Sequence, residues 1–140
     1  MQAFEWYLRS RQLNLESTSP AIADGLMLVE KAIGREGEHA ELLALKGYLH
    51  WNRHQIASSD ATDLTEARHC VDRALTMDPE LPTALVARAL LEIRQPVVDS
   101  GLLLRLLHRA HALEPTTDAC LWLTVYLCGT GRSEDRKSVV

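Results

Sequence analysis

The phrase "VDRALTMDPELPTALVARA" at 71–89 returns in outline at 107–119 as "LHRAHALEPTTDA". In each copy an apolar residue is followed by an alanine and then a proline: Val71, Ala74 and Pro79, then Leu107, Ala110 and Pro115. The interval of 36 residues between Val71 and Leu107 is the length at which chains are built from repeated helical or strand–helix units. Such a unit cannot bury its apolar face alone and must stack on a neighbour. That requirement limits the fold more than any bulk property.

Apolar residues recur three and four positions apart almost throughout, which predicts seven helices. The first covers about Gln2 to Leu15. In "STSP", Ser19 is expected to cap the next helix, with Pro20 in its first turn. The second helix then continues to about Ile33, with Gly34 and Gly37 as its stop. The third spans about His39 to Arg53, and Asp63 with Glu66 has the spacing of a capping box for a fourth, Leu64 to Met77. A fifth, from Pro82 to about Arg94, is halted by Pro96. The sixth runs from about Ser100 to Leu113, and the seventh restarts after Pro115 and ends near Cys128. Residues 1–131 form the repeat domain, and "RSEDRKSVV" at 132–140 is a polar tail expected to fray.

The copies align on small residues. Ser10, Gly47 and Ala89 share one column, with Val125 in the last copy, and Trp6, Leu43, Leu85 and Leu121 stand four positions before them. In the second helices Ala32, Ala74 and Ala110 recur, three positions after Val29, Val71 and Leu107. Two helices of a hairpin approach closely only where one side chain is nearly absent, and large neighbours fill the flanking grooves. The extra length of the middle repeat falls between Trp51 and Leu64.

This pattern resembles the tetratricopeptide repeat, and the resemblance covers nearly the whole chain. It is strongest at "EARHCVDRALTMDPE", where Ala67, Val71, Ala74 and Pro79 occupy signature positions, and weaker in the first pair, where Gly25 and Gly37 replace the family's alanine and proline. The likeness implies an all-α fold, a right-handed solenoid of about three and a half helical hairpins. A narrower likeness lies in "WYLRSRQLNLESTSPAIADGLMLVEKAI", which is similar to the repeat regions of bacterial winged-helix transcription activators and class III adenylate cyclases. In those proteins a "YLRGR" phrase opens the array, and Tyr7-Leu8-Arg9-Ser10-Arg11 stands in its place here.

The inner helices of such a superhelix line a groove. The resemblance assigns Tyr48, Trp51, Leu90, Ile93, Trp122 and Tyr126 to it, with Glu41, Asn52 and Arg94 near its edges. The family's carboxylate-gripping lysines and asparagines are missing, since Ala44, Tyr48, Val86, Leu90, Trp122 and Tyr126 hold the matching positions. An apolar anchor from a peptide or helix suits this lining better. The competing reading is that these side chains pack against neighbouring helices. Helix seven, "ACLWLTVYLC", is apolar nearly all round, and Leu121, Leu123, Val125 and Leu127 are the candidates for contact with a further repeat or a second copy.

Other chemistry is poorly served. His50 and His54 share one helix face, but no third metal ligand stands at a useful spacing, and solvent-facing histidines are the expectation. His108 and His111 are read as structural too. Cys70, Cys120 and Cys128 are read as small buried residues; three cysteines do not make a disulfide framework and point to a reducing, cytoplasmic setting. A periplasmic setting fits only if the chain is cut from a membrane-anchored regulator. No apolar run reaches the roughly 18 residues of a membrane span, and "MQAFEWYLRSRQ" lacks the order of a secretion signal.

Net charge is −4, from 15 Lys+Arg against 19 Asp+Glu, which gives no general attraction to nucleic acid. Arg9, Lys46 and Arg88 share a column, explained by long stems lying on apolar surface. The chain has no glycine-rich phosphate loop, nucleophile elbow or cofactor motif, and the resemblance implies a non-catalytic protein–protein interaction module of a bacterial regulator. The alternative is a free-standing, chaperone-like adaptor that holds an amphipathic peptide of a client.

Overall fold

The computed structural model describes residues 2–57, 62–93 and 95–115, together with Trp122, Thr124 and Val125. These residues form six helices: α1 (Gln2–Glu16), α2 (Ser19–Glu36), α3 (Ala40–Ala57), α4 (Thr62–Met77), α5 (Pro82–Ile93) and α6 (Ser100–Leu113). No strand occurs among the described residues, and the protein is all-α there. The expected seventh helix falls largely outside the described residues, although the backbone is helical at Trp122, Thr124 and Val125.

Helix ends follow local chemistry. Thr18, extended at φ −104° and ψ 155°, caps α2 by accepting from the Ala21 amide at 3.3 Å. The cap is therefore Thr18 and not Ser19, which is already helical. At the other end α2 runs through Gly34 and stops only at Gly37 (φ 85°, ψ −179°), whose amide donates to the Ile33 carbonyl. That backbone region is open essentially to glycine alone. Asp99 caps α6 by accepting from the Leu102 amide at 3.0 Å, and the buried Glu92 carboxylate accepts from the Asp99 amide.

α3 extends four residues past the expected Arg53. Its polar C-terminal face finds partners: the Asn52 amide donates to the Asn14 side-chain oxygen of α1 at 2.6 Å, and Arg53 and His50 bind Asp63 of α4. Asp63 is thus engaged by α3 side chains and does not serve as the capping residue the spacing suggested. His50, expected to face solvent, is buried for the same reason.

Helices pair in chain order, α1 on α2, α3 on α4 and α5 on α6, and α3 also packs on α1, α2 and α5. The small-residue column sits at the hairpin seams. Ser10 is wholly buried and its hydroxyl donates to the Gly25 carbonyl at 3.1 Å. At Gly47 a β-carbon would lie 2.7 Å from the Val71 Cγ2 and 3.1 Å from the Ala67 carbonyl oxygen, so α3 and α4 touch there through the backbone. Ala89 is wholly buried, in one cluster with Leu103 and Leu107 of α6.

The main core joins α3, α4, α5 and α6 around Trp51, Val71, Leu85, Leu90 and Leu107. A second cluster of Ile22, Leu26, Val29, Leu45 and Leu49 holds α2 against α3. Each fully buried leucine or valine stabilises the fold by roughly 1.5–3 kcal/mol. The core is therefore spread along successive hairpins, and α1 keeps one face turned away from it.

Candidate functional site

α1 divides its residues between two environments. Ala3, Ser10 and Leu13 are buried against neighbouring helices. Phe4, Tyr7, Leu8, Arg11 and Leu15 recur at helical spacing on another face, and Phe4 (59%), Leu8 (45%) and Leu15 (67%) leave much of their surface in water. Those residues form one wall of a groove of about 630 Å³. α3 supplies Glu41, Leu45 and Tyr48, and Leu81, Pro82 and Val86 close the far wall at the start of α5. Glu114 and Pro115, just after α6, complete the lining. The groove is thus built from the first helices of three successive hairpins.

Its polar groups act on one another. Burial pushes the Tyr7 phenol above its usual range; the Arg11 guanidinium opposes this, while the Glu41 and Glu114 carboxylates reinforce it. Arg11 lies over the Tyr7 ring, 5.8 Å from its centroid, a cation–π arrangement that also fixes the ring. Asn14 is tied to Asn52.

The residues assigned to the groove by sequence divide differently. Tyr48 and Glu41 line it. Trp51 is buried, edge-on to Tyr48, and its indole donates to the Leu90 carbonyl at 3.0 Å. Leu90 is wholly buried and Ile93 packs half-buried on the same cluster. Trp122, half-buried, meets Trp51 edge-on with centroids 5.6 Å apart and donates from its indole to the Tyr48 hydroxyl at 2.9 Å. Tyr126 and Arg94 lie outside the described residues. The aromatics do converge, then, but as a packed cluster behind the groove, with Tyr48 shared by both.

The α1 stripe escapes a sequence alignment that takes groove positions from the inner helices of later copies. Its own spacing, Phe4 to Tyr7, Leu8, Arg11 and Leu15, carries the signal. Of the proposed self-association residues, Val125 is 51% exposed, and Leu121, Leu123 and Leu127 lie outside the described residues.

A second polar cluster joins α3 to α4. Asp63 accepts from Arg53 Nη2 at 2.7 Å, from Arg53 Nε at 3.0 Å and from His50 Nδ1 at 2.9 Å. Burial alone would raise the Asp63 pKa, but the Arg53 and His50 donors outweigh it and hold the carboxyl below its ordinary value. Lys46 pairs with Glu30 across the α2–α3 seam, so its head is engaged and not simply solvated. Cys70 is buried and free, and burial pushes its thiol up to about 11. It is a protonated packing group at neutral pH. Cys120 and Cys128 lie outside the described residues. His108 is exposed and His111 half-buried in the last turn of α6.

Among the described residues no group of three or more His, Cys, Asp or Glu could hold a metal ion. No helix there is long and apolar enough to cross a membrane. Together the described residues form packed helical hairpins with an open cleft lined by both apolar and polar side chains. No family model matches the chain, and neither a curated protein nor a solved structure matches it.

Proposed function

We propose that this chain is a non-catalytic protein–protein interaction module of the tetratricopeptide-repeat type, in which successive hairpins continue a right-handed solenoid. Its concave side takes an apolar segment of a partner. In the setting that the "YLRSR" phrase suggests, the chain is the partner-binding part of a bacterial transcription regulator or another signalling protein, in a reducing cytoplasm. The observation that carries this reading is the α1 stripe, where Phe4, Leu8 and Leu15 stay exposed on the wall of a 630 Å³ groove. Large apolar side chains gathered on one concave surface mark a place where another chain is received. The groove also has a helical wall on each side, and such preorganisation lowers the ordering cost of binding.

The test is binding of fluorescein-labelled 12-residue peptides with a central Leu or Phe anchor, followed by fluorescence anisotropy. Leu8→Ser/Leu15→Ser removes much of the exposed wall without touching the core. Saturable binding that this double variant abolishes is the expected result. Binding that persists unchanged in the double variant takes the groove out of the reading.

Self-association through the C-terminal segment, carried by Leu121, Leu123, Val125 and Leu127, belongs to the same proposal. Light scattering across a concentration series is expected to show a mass that rises toward a dimer, and Val125→Asp is expected to hold it at the monomer.

A further inference from the structure

The groove that receives a partner in the reading above also has a charge pattern. Glu41, in the first turn of α3, and Glu114, immediately after α6, both line it and both are exposed. Neither carboxylate forms a salt bridge among the described residues, whereas Glu30, Glu38 and Glu80 pair with Lys46, Arg73 and Arg109. Among the described lining residues Arg11 is the only cation, and its guanidinium is laid on the Tyr7 ring. Two carboxylates from elements far apart in sequence are therefore left lining one groove. Both act on the Tyr7 phenol, and Arg11 acts on it more strongly in the opposite sense.

We infer that the segment received by the groove is a basic–apolar peptide. Its Leu, Phe or similar anchor rests on the α1 stripe, and a neighbouring Lys or Arg projects between Glu41 and Glu114. This deepens the interaction-module reading and rests on it. The apolar wall supplies the contact area, and the two carboxylates choose among anchors that would otherwise bind alike. An acidic segment, or a chain end presenting its own carboxylate, meets like charge at the same place. Exposed ion pairs are individually modest, so each carboxylate is expected to change affinity by about threefold. The two together give roughly tenfold, falling as salt screens them.

The experiment uses three sets of capped, fluorescein-labelled 12-residue peptides with identical apolar anchors and flanks of Lys, Gln or Glu. Affinity is measured by anisotropy at about 50 and 500 mM salt for the wild-type chain, Glu41→Gln/Glu114→Gln and Leu8→Ser/Leu15→Ser. Circular dichroism checks that each variant is folded. The expected result is Lys over Gln over Glu in the wild type. Glu41→Gln/Glu114→Gln should lower the Lys set to the level of the Gln set while leaving the Gln set unchanged, and high salt should do the same. If all three sets bind equally, or the Glu set binds best, the basic–apolar assignment is overturned while the groove itself stands. If no set binds the folded wild-type chain, the interaction-module reading and this inference fall together.

Discussion

Gly47 occupies a place where the backbone of one helix meets the side chains of the next, and two opposing effects act on it. Alanine is the better helix former by about 1 kcal/mol. Its methyl group would nevertheless sit 2.7 Å from Val71 Cγ2 and 3.1 Å from the Ala67 carbonyl, and both neighbours are wholly buried. Overpacking of that kind costs about 1–3 kcal/mol, so it wins. Gly47→Ala is expected to lower the urea midpoint. Adding Val71→Ala should cost less than the sum of the two single changes, because the second opens the space that the first one fills. Asp63 gives the pH counterpart. Its folded pKa is depressed, so the Arg53–His50 cluster contributes stability above the unfolded carboxyl value of about 3.9 and loses it as pH falls through the lower folded value. Unfolding free energy measured from pH 6 down to pH 2 should therefore fall. Asp63→Asn should be less stable at pH 6, by about 1–3 kcal/mol, with a shallower acid slope.

Helix ends show where a chain's own text is enough and where it is not. Both Gly34 and Gly37 read as stops for α2 in the sequence. Only Gly37 takes a positive φ, and Gly34 lies within the helix, where an added methyl group would meet no neighbour within 4 Å. The choice depends on where the chain must turn to start α3, which no local window contains. The two sites predict opposite outcomes. Gly37→Ala should destabilise by about 1–3 kcal/mol, and Gly34→Ala should stabilise by about 0.5–1 kcal/mol, both read as shifts in Tm. α3 shows the same dependence on distant partners. The sequence ends this helix at about Arg53, yet Asn52, Arg53 and His50 bind Asn14 and Asp63, and the helix continues to Ala57. The N-terminal end of α6 needed no such partner to be read, and its bounds agree with the spacing of its leucines.

At the scale of the molecule, the hairpins meet at seams marked by Ser10, Gly47 and Ala89, and those were legible because small residues recur for one repeated steric reason. The groove was legible only in part. Tyr48 and Glu41 could be placed by aligning copies, but Trp51 and Leu90 face the core, where helix–helix packing claimed them. Alignment gives the side of a helix, not the depth at which its neighbours bury it. Trp51 also serves another end: its indole donates to a carbonyl in the last turn of α5, where helix carbonyls run short of intrahelical donors. Trp122→Phe keeps the ring contact with Trp51 while deleting the donor to Tyr48. The expected cost is about 0.5–1.5 kcal/mol, measured by urea denaturation.

Tyr48 has its ring on the groove wall and its oxygen in the grip of an indole from a segment 74 positions further along. A guest that swings that ring must either drag the indole along or let go of it. Indole emission then serves as a built-in gauge of occupancy, with no added dye. Because linkage is reciprocal, whatever clamps or frees Trp122 from outside changes the grip on the guest by the same factor.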